Sequence, residues 1–173
     1  MDPLILSIRR PIYANTIYLD KDGVLNTALW RDSKLSSPRQ IEEIRIKKDL
    51  SDILTFSDNR FNLVIVSNQP DLSRGLINDD FIEKNVQIIS KHLPIDQALF
   101  CPHTKDLDCK CRKPKTGLID EFRRLFPKNH EKELFIGDQE TDEICAVSLN
   151  IPFLKVDKPL SLNNKIIDFP DPF

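Results

Sequence analysis

Short runs of apolar, β-prone residues recur at intervals along the chain, with polar stretches between them. The runs occupy residues 16–19, 63–66, 98–100, 134–136 and 153–156. Uninterrupted runs of this length are typical of strands that are buried on both faces. The pattern therefore predicts an interior sheet built from these segments.

Helical patterns lie between the apolar runs. The best defined predicted helix begins after Asn78, a favourable N-cap, and buries one apolar stripe that consists of Ile82, Val86, Ile89 and Leu93. A second stripe runs through residues 118–126 and stops before Pro127, and a third lies at 50–54. Strands that alternate with helices predict βαβ units and a mostly parallel sheet. The carboxyl edge of such a sheet would gather Asp20, Ser67 and Asp138.

The length and composition favour one globular domain. The chain has 173 residues, with 40% hydrophobic and 30% charged residues, as expected for a single soluble domain. We predict a core at about 16–156, a loop at 101–111 with its own chemistry, and a C-terminal tail at 159–173 that runs over the surface.

Charge and hydropathy exclude several classes of partner. The net charge of -2 disfavours a nucleic-acid partner, which normally requires a basic face. No stretch approaches the ~20 apolar residues of a membrane span, and the apolar run at 4–6 is too short for the core of a leader peptide. We therefore expect a cytoplasmic monomer that binds a small molecule, with no nucleic-acid and no membrane partner.

Two carboxylates follow the first predicted strand, in the sequence YLDKDGVLN. Asp20 and Asp22 are two positions apart, and a turn at Gly23 would bring both to one site. One could attack phosphorus while the other donates a proton to the leaving oxygen and later activates water. A divalent cation would offset the repulsion between the nucleophile and the phosphate. Taken alone, the pair is more typical of a plain turn at the end of a strand.

Three further groups with matching chemistry follow later in the chain. Ser67-Asn68 offers a hydroxyl and an amide to phosphate oxygens, and Arg112-Lys113 offers positive charge. Asp138, with Asp142, offers carboxylates to a hard cation. Each group has a simpler explanation by itself, namely a turn, a solvated basic pair, or a helix cap with a first-turn acid.

Together and in this order, the four groups resemble the motifs of the haloacid dehalogenase superfamily of phosphohydrolases, over residues 17–156. The resemblance implies an α/β fold with a three-layered, Rossmann-like core and a mostly parallel sheet. It also implies that Asp20 is a nucleophile that forms an aspartyl-phosphate and that Asp22 is the general acid and base. Ser67 and Lys113 would hold the phosphate. Mg²⁺ would bind through Asp20, the backbone carbonyl of Asp22, and Asp138, with Asp142 ordering the metal site.

Three cysteines and a histidine lie within eleven residues. Cys101, His103, Cys109 and Cys111 supply four ligands, the number that closes a structural tetrahedral zinc site. The alternative is a set of buried cysteines beside a surface histidine. Cys145 is separate from this cluster, and we expect it to be a small core residue.

The segment Arg112 to Leu118 resembles the corresponding segment of the D-glycero-D-manno-heptose 1,7-bisphosphate phosphatases and the related histidinol-phosphate phosphatases. Residues 67–69 and Arg74-Gly75 fit the same group. The resemblance implies that a zinc loop covers an open site in place of a large cap, and that Arg112 contacts the substrate.

These features leave four functions open. We expect a phosphatase of a heptose bisphosphate, with a basic rim of Arg112, Lys110 and Lys115 that binds the second phosphate. The alternatives are a histidinol-phosphate phosphatase, a non-catalytic binding protein on the same fold, and a nucleic-acid end-processing phosphatase. The acidic balance and the lack of an aromatic stacking platform disfavour the last.

The chain departs from the pattern of this group at Pro70-Asp71, where members typically have Ser-Gly, and at Thr116, where they have proline. A carboxylate beside a phosphate pocket is unfavourable unless it points away or meets a cation such as Arg74.

Overall fold

A six-stranded sheet forms the centre of the structure, a computed structural model that describes residues 1–48, 50–58 and 60–156. Within these ranges there are eight strands, β1 (Leu4–Ser7), β2 (Asn15–Leu19), β3 (Leu29–Arg31), β4 (Lys34–Ser36), β5 (Phe61–Asn68), β6 (Ile95–Cys101), β7 (Glu133–Gly137) and β8 (Phe153–Lys155). The four α-helices are α1 (Leu50–Ser57), α2 (Asp79–Ser90), α3 (Gly117–Leu125) and α4 (Glu140–Ser148), and residues 41–43 form a 3₁₀ helix. The tail at 159–173 lies outside the described residues.

The sheet has the strand order β1-β6-β5-β2-β7-β8, and every pairing except that of β1 is parallel. All five strands that the apolar runs predict are present, so the mostly parallel α/β sheet is confirmed. The sequence patterns miss β1, in which Leu4 to Leu6 pair with Phe100 to Ala98 of β6. So short a segment becomes a strand only through this long-range pairing, which local periodicity does not encode.

Helices cover both faces of the sheet. In β2, the side chains of Ile17 and Leu19 pack in one buried cluster with α1 and α2, whereas Tyr18 packs in a second cluster with α3 and α4. Successive residues of a strand point to opposite faces, so a continuous apolar run is what a three-layered fold requires. This layering agrees with the fold class expected from the resemblance.

The helix predicted after Asn78 is confirmed. The Asn78 side chain accepts a hydrogen bond from the backbone N–H of Phe81 at 2.9 Å, as an N-cap does. Ile82, Val86 and Ile89 are buried along one face of α2. Two members of the other predicted stripes, Leu54 and Leu125, are 40% and 42% exposed, because they fall at the margin of the face that contacts the sheet.

Little structure separates β2 from β5, the place where a large cap would be inserted. The described residues there form the β3–β4 hairpin, the 3₁₀ turn and α1. The carboxyl edge of the sheet is therefore covered only by short segments. Among the described residues, no helix is both long and apolar enough to cross a bilayer.

Candidate active site

The polar residues that follow β2, β5 and β7 meet at one edge of the sheet. These three strands are parallel neighbours, so their carboxyl ends converge there. Asp20, Ser67 and Asp138 line one cavity of about 310 Å³, together with Asp22 and Lys113.

A tight turn places Asp20 and Asp22 in the same cavity. The N–H groups of Leu25 and Asn26 donate to the carbonyl of Lys21 at 2.9 and 3.1 Å, which folds the chain back directly after β2. Gly23 has a φ of +98°, a conformation that other residues rarely adopt. The turn expected at Gly23 is therefore what prevents the two carboxylates from pointing to opposite faces.

Lys113 lies at the centre of the buried charges. Its Nζ is 2.7 Å from Asp20 Oδ1 and 2.6 Å from Asp142 Oδ1, and it donates to the carbonyl of Val66 at 2.7 Å. Burial would lower the pKa of Lys113, but attraction to Asp20 and Asp142 holds it above its ordinary value. Burial raises the pKa of Asp20 to about 7, against the opposing effect of Lys113. A lysine held in this way stays charged beside the carboxylate of Asp20.

Asp22 accepts hydrogen bonds on both carboxylate oxygens. Oδ1 accepts from Lys21 Nζ and Asn26 Nδ2 at 2.6 and 2.7 Å, and Oδ2 accepts from Ser37 Oγ and Gln69 Nε2 at 2.6 and 2.7 Å. Burial alone would raise the pKa of Asp22, but the ion pair with Lys21 and these hydrogen bonds lower it. The side chain is thus fixed in one orientation, with its ionised form favoured.

Three carboxylates form an oxygen-lined group at the floor of the cavity. Oxygens of Asp20, Asp138 and Asp142 lie within 4.8 Å of one another. Asp138 Oδ1 is buried without a hydrogen-bond partner among the described residues, and a buried orphan acceptor is costly unless a cation or water satisfies it. The all-oxygen donor set fits Mg²⁺. Asp142 is already engaged by Lys113 and by the N–H of Gln139 at 3.1 Å, so Asp20 and Asp138 offer the accessible oxygens.

The structure shows a contact of Asn68 that the sequence does not predict, beside its place in the lining of the cavity. Its Nδ2 donates to the carbonyl of Lys113 at 3.1 Å, and its Oδ1 accepts from the N–H of Lys113 at 3.0 Å. Both ends of the side-chain amide therefore hold the backbone of Lys113, and the second N–H of Nδ2 has no part in this contact. Ser67 is buried, and its Oγ accepts from Gln69 Nε2 at 3.2 Å, so the hydroxyl proton remains available for a phosphate oxygen.

The four predicted zinc ligands form a compact cluster beside this cavity. The Sγ atom of Cys111 is 3.2 Å from Cys101 Sγ, 3.6 Å from Cys109 Sγ and 3.2 Å from His103 Nδ1. A zinc tetrahedron with ~2.3 Å zinc–sulfur bonds has edges of about 3.8 Å, close to these separations. Three thiols and one imidazole nitrogen fit zinc. Cys145 lies apart in α4, where burial raises the pKa of its thiol to about 11.

The cationic rim differs from the one that the sequence predicts. Arg112 lines the cavity, and its NH1 donates to the carbonyl of His103 at 2.9 Å. Lys110 and Lys115 instead lie beside a separate surface depression with α3, and Lys115 pairs with Asp108. The chain reverses after Arg112, so neighbours in sequence face different surfaces. Arg39 and Arg74 line the cavity in their place.

Sequence reasoning missed several residues that shape the site. Lys21 and Ser37 contact Asp22, and Arg39 pairs with Asp71 at 2.7 Å. Ser37 and Arg39 come from the loop after the β3–β4 hairpin, which has no periodic pattern. Lys21 carried a usable signal, because a lysine between two acids, directly after a predicted buried strand, is well placed to pair with one of them. In the structure Lys21 is fully buried and pairs with Asp22.

The chain is similar to known phosphatases over most of its length. The sequence profile of the family described as polynucleotide kinase 3 phosphatase matches residues 24–172. A probable D-glycero-D-manno-heptose-1,7-bisphosphate 7-phosphatase from Thermoplasma acidophilum is 30% identical over 156 residues, which cover 86% of this chain and 94% of that protein.

Two further comparisons bear on the fold and the chemistry. The histidine biosynthesis bifunctional protein HisB of Campylobacter jejuni subsp. doylei is 32% identical over 80% of this chain, but the match spans only 40% of that protein. A crystal structure of D,D-heptose 1.7-bisphosphate phosphatase from B. bronchiseptica, complexed with magnesium and phosphate, superimposes with a TM-score of 0.68 at 26% identity. It covers 80% of this chain and 78% of that one.

Proposed function

We propose, since this chain belongs to the polynucleotide kinase 3 phosphatase family, that it is a magnesium-dependent phosphomonoesterase of D-glycero-D-manno-heptose 1,7-bisphosphate. The observation that carries the proposal is the ion pair of Lys113 with Asp20, 2.7 Å long and buried on the floor of the cavity. It sets a carboxylate nucleophile beside a fixed positive charge, as phosphoryl transfer to an aspartate requires.

The two acids of the turn after β2 would divide the chemistry. An Asp20 oxygen forms a bond to phosphorus while the bond from phosphorus to the ester oxygen breaks, and Asp22 gives a proton to that leaving oxygen. Asp22 must take up this proton beforehand, against the ion pair with Lys21 that lowers its pKa. In the second half, the Asp22 carboxylate takes a proton from water, whose oxygen attacks phosphorus and releases phosphate from Asp20. The four donors around Asp22 favour its ionised form, which suits this second half.

Ser67, Lys113 and a magnesium ion would hold the reacting phosphate. Ser67 donates its hydroxyl, and Lys113 neutralises negative charge while it keeps Asp20 in place. Asp20, Asp138 and the backbone carbonyl of Asp22 would hold Mg²⁺, with Asp142 positioned behind them through Lys113. When bound, the ion lowers the repulsion between the nucleophile and the phosphate.

The choice of substrate rests on the relatives and on the mouth of the cavity. The probable D-glycero-D-manno-heptose-1,7-bisphosphate 7-phosphatase of Thermoplasma acidophilum matches along 94% of its own length. Three arginines line the cavity, Arg39, Arg74 and Arg112, and they complement a substrate with a second phosphate. Histidinol phosphate is the second candidate because of the similarity to HisB, of which this chain spans 40%. Its cationic amine is a poor match for three arginines.

The remaining proposals concern the zinc cluster, the cellular compartment, the oligomeric state and the class of partner. We propose that Cys101, His103, Cys109 and Cys111 bind structural zinc that shapes the mouth of the site, with Arg112 tied to the same loop. Such a set of thiols is suited to a reducing compartment, which supports a cytoplasmic location. A role in carbohydrate metabolism follows from the proposed sugar substrate, and we propose a monomer. The net charge of -2 supports a small-molecule substrate over nucleic acid and over a membrane.

Phosphate release tests this function. The purified chain is assayed with heptose 1,7-bisphosphate, histidinol phosphate and a 3'-phosphorylated oligonucleotide, with and without Mg²⁺. We expect the highest kcat/KM for the bisphosphate, dependence on Mg²⁺, and loss of activity in Asp20→Asn. Asp22→Asn should stay folded and lose most turnover. Full activity of Asp20→Asn would exclude the aspartyl-phosphate, and a preference for histidinol phosphate or the oligonucleotide would exclude the substrate assignment.

A further inference from the structure

Asp71, one of the residues at which this chain differs from the heptose bisphosphate phosphatases it resembles, lies at the mouth of the cavity. Asp71 Oδ2 is 2.7 Å from Arg39 Nε, and Asp71 Oδ1 is 3.0 Å from Arg74 NH1. One carboxylate thus holds two guanidinium groups that come from distant parts of the chain, the loop after β4 and the loop after β5. All three residues line the same cavity as Asp20. We call Arg39, Asp71 and Arg74 the mouth triad.

Burial is unequal within the mouth triad. The side chain of Asp71 is 7% exposed, whereas those of Arg39 and Arg74 are 33% and 51% exposed. The carboxylate therefore lies beneath the two guanidinium groups, and each of its oxygens already accepts a hydrogen bond. Its negative charge is paired with both guanidinium groups, while the arginine side chains remain partly accessible to solvent and to a ligand.

The triad carries a net positive charge and has unused donors. Arg39 contacts Asp71 through its Nε, and Arg74 contacts Asp71 through its NH1. A guanidinium has five N–H donors in a fixed fork. The nearby acid Glu43 is engaged by Arg31 and by the N–H of Arg39. Two forks held side by side match the geometry of a phosphate, which arginine binds in a bidentate manner.

We propose that Arg39 and Arg74, positioned by Asp71, form a subsite for the non-reacting phosphate of a sugar bisphosphate, and this rests on the function proposed above. Asp71 acts as a positioning residue, because it restrains two long side chains before the substrate arrives and so lowers the entropic cost of binding. The Pro70-Asp71 departure then serves recognition of the substrate.

A matched pair of substrates isolates this subsite. D-glycero-D-manno-heptose 1,7-bisphosphate and the corresponding 7-phosphate share the sugar and the reacting group, and differ only in the second phosphate. The quantity measured is the ratio of kcat/KM for the bisphosphate to kcat/KM for the monophosphate. The variants are Arg39→Gln, Arg74→Gln and the double variant. The control is Arg124→Gln. Arg124 forms an ion pair with Glu121, three residues earlier in the chain, and this pair lies outside the cavity.

We expect the ratio to fall about ten-fold or more in each single variant, the scale of one charge-assisted contact, mainly through a higher KM for the bisphosphate. Arg124→Gln should keep the wild-type ratio. If the wild type prefers the bisphosphate but both single variants keep its ratio, the subsite is wrong and the proposed function stands. If the single variants keep the wild-type ratio of kcat/KM values but have a lower Tm, the mouth triad only stabilises the contact between the loops after β4 and β5, and the subsite is wrong. A wild type without this preference would overturn both proposals.

Discussion

Asp138 packs directly against the backbone of Gly23: a Cβ atom built on Gly23 would lie 2.7 Å from Asp138 Cγ. The close approach joins the turn that carries Asp20 and Asp22 to the strand end that carries Asp138. Glycine is required here for two reasons, the positive φ of +98° and the space that Asp138 occupies.

Gly23→Ala should therefore damage the proposed magnesium site. The added methyl group displaces the Asp138 carboxylate, so we expect the Mg²⁺ concentration for half-maximal activity to rise by roughly ten-fold or more. Gly75→Ala is a matched control, because Gly75 also has a positive φ, of +68°, but has no atom within 4 Å of its added Cβ. The control should lose about 1 kcal/mol of stability and keep the wild-type magnesium dependence. Equal magnesium dependence in both variants would contradict this account.

Lys113→Met should destabilise the protein strongly in the absence of a divalent cation. The change leaves Asp20 and Asp142 as buried carboxylates without their 2.7 and 2.6 Å partner, a loss of about 3–5 kcal/mol. Mg²⁺ should raise the Tm of this variant more than that of the wild type, since Mg²⁺ neutralises the same cluster of carboxylates as Lys113. Lys84→Met, which breaks an exposed pair with Asp80, should change stability by about 0.5 kcal/mol or less. If Mg²⁺ raises the Tm of Lys113→Met no more than that of the wild type, Lys113 and Mg²⁺ do not neutralise the same carboxylates.

The cysteine cluster predicts about one zinc per chain. Cys109→Ser should lower the bound zinc measured by elemental analysis, and chelation should lower the Tm of the wild type, because binding at such a site is coupled to folding. Cys145→Ala removes a buried thiol that lies outside the cluster and should keep the full zinc content. Purified protein without zinc, active after exhaustive chelation, would be decisive evidence against the site.

Arg112→Ala should reduce discrimination between the heptose bisphosphate and histidinol phosphate by roughly ten-fold, the scale of one charge-assisted contact. Arg112 also donates to the carbonyl of His103, so the zinc content of the variant must be measured as well. An unchanged preference in a variant that retains its zinc would remove Arg112 from substrate recognition.

Asp96 should make stability depend on pH. Burial raises the pKa of Asp96, against hydrogen bonds from Leu63 and Arg9. The pKa of Asp96 is higher in the folded than in the unfolded protein, so its contribution to the free energy of unfolding is fully present below about pH 3.9. This contribution is lost as the pH rises through the pKa of the folded state. Relative to Asp96→Asn, the wild type should thus be most stable near pH 4 and lose that advantage towards pH 7, as measured by urea unfolding. An advantage that grows with pH would have the wrong sign.

Features that depend on short-range order could be predicted from the amino-acid sequence. Five strands, the helix capped by Asn78 and the mostly parallel sheet follow from periodicity, which reports the environment of neighbouring residues, whereas the three-layered core was what the resemblance to a known superfamily implied. Cys101, His103, Cys109 and Cys111 were identifiable as candidate metal ligands because zinc ligands recur at short, characteristic spacings. Asp20, Ser67 and Asp138 were placed at one edge because parallel strands end together.

Contacts between side chains that are far apart in the sequence emerge only when the chain is folded. Asn68 holds the backbone of Lys113, Lys110 and Lys115 face away from the cavity, and β1 exists because β6 lies beside it. Asp71 meets both Arg39 and Arg74, thirty-two and three residues away. The direction of a surface side chain after a loop depends on how the chain reverses, and its charge partner depends on what folds over it. Neither is encoded in the local pattern of apolar and polar residues.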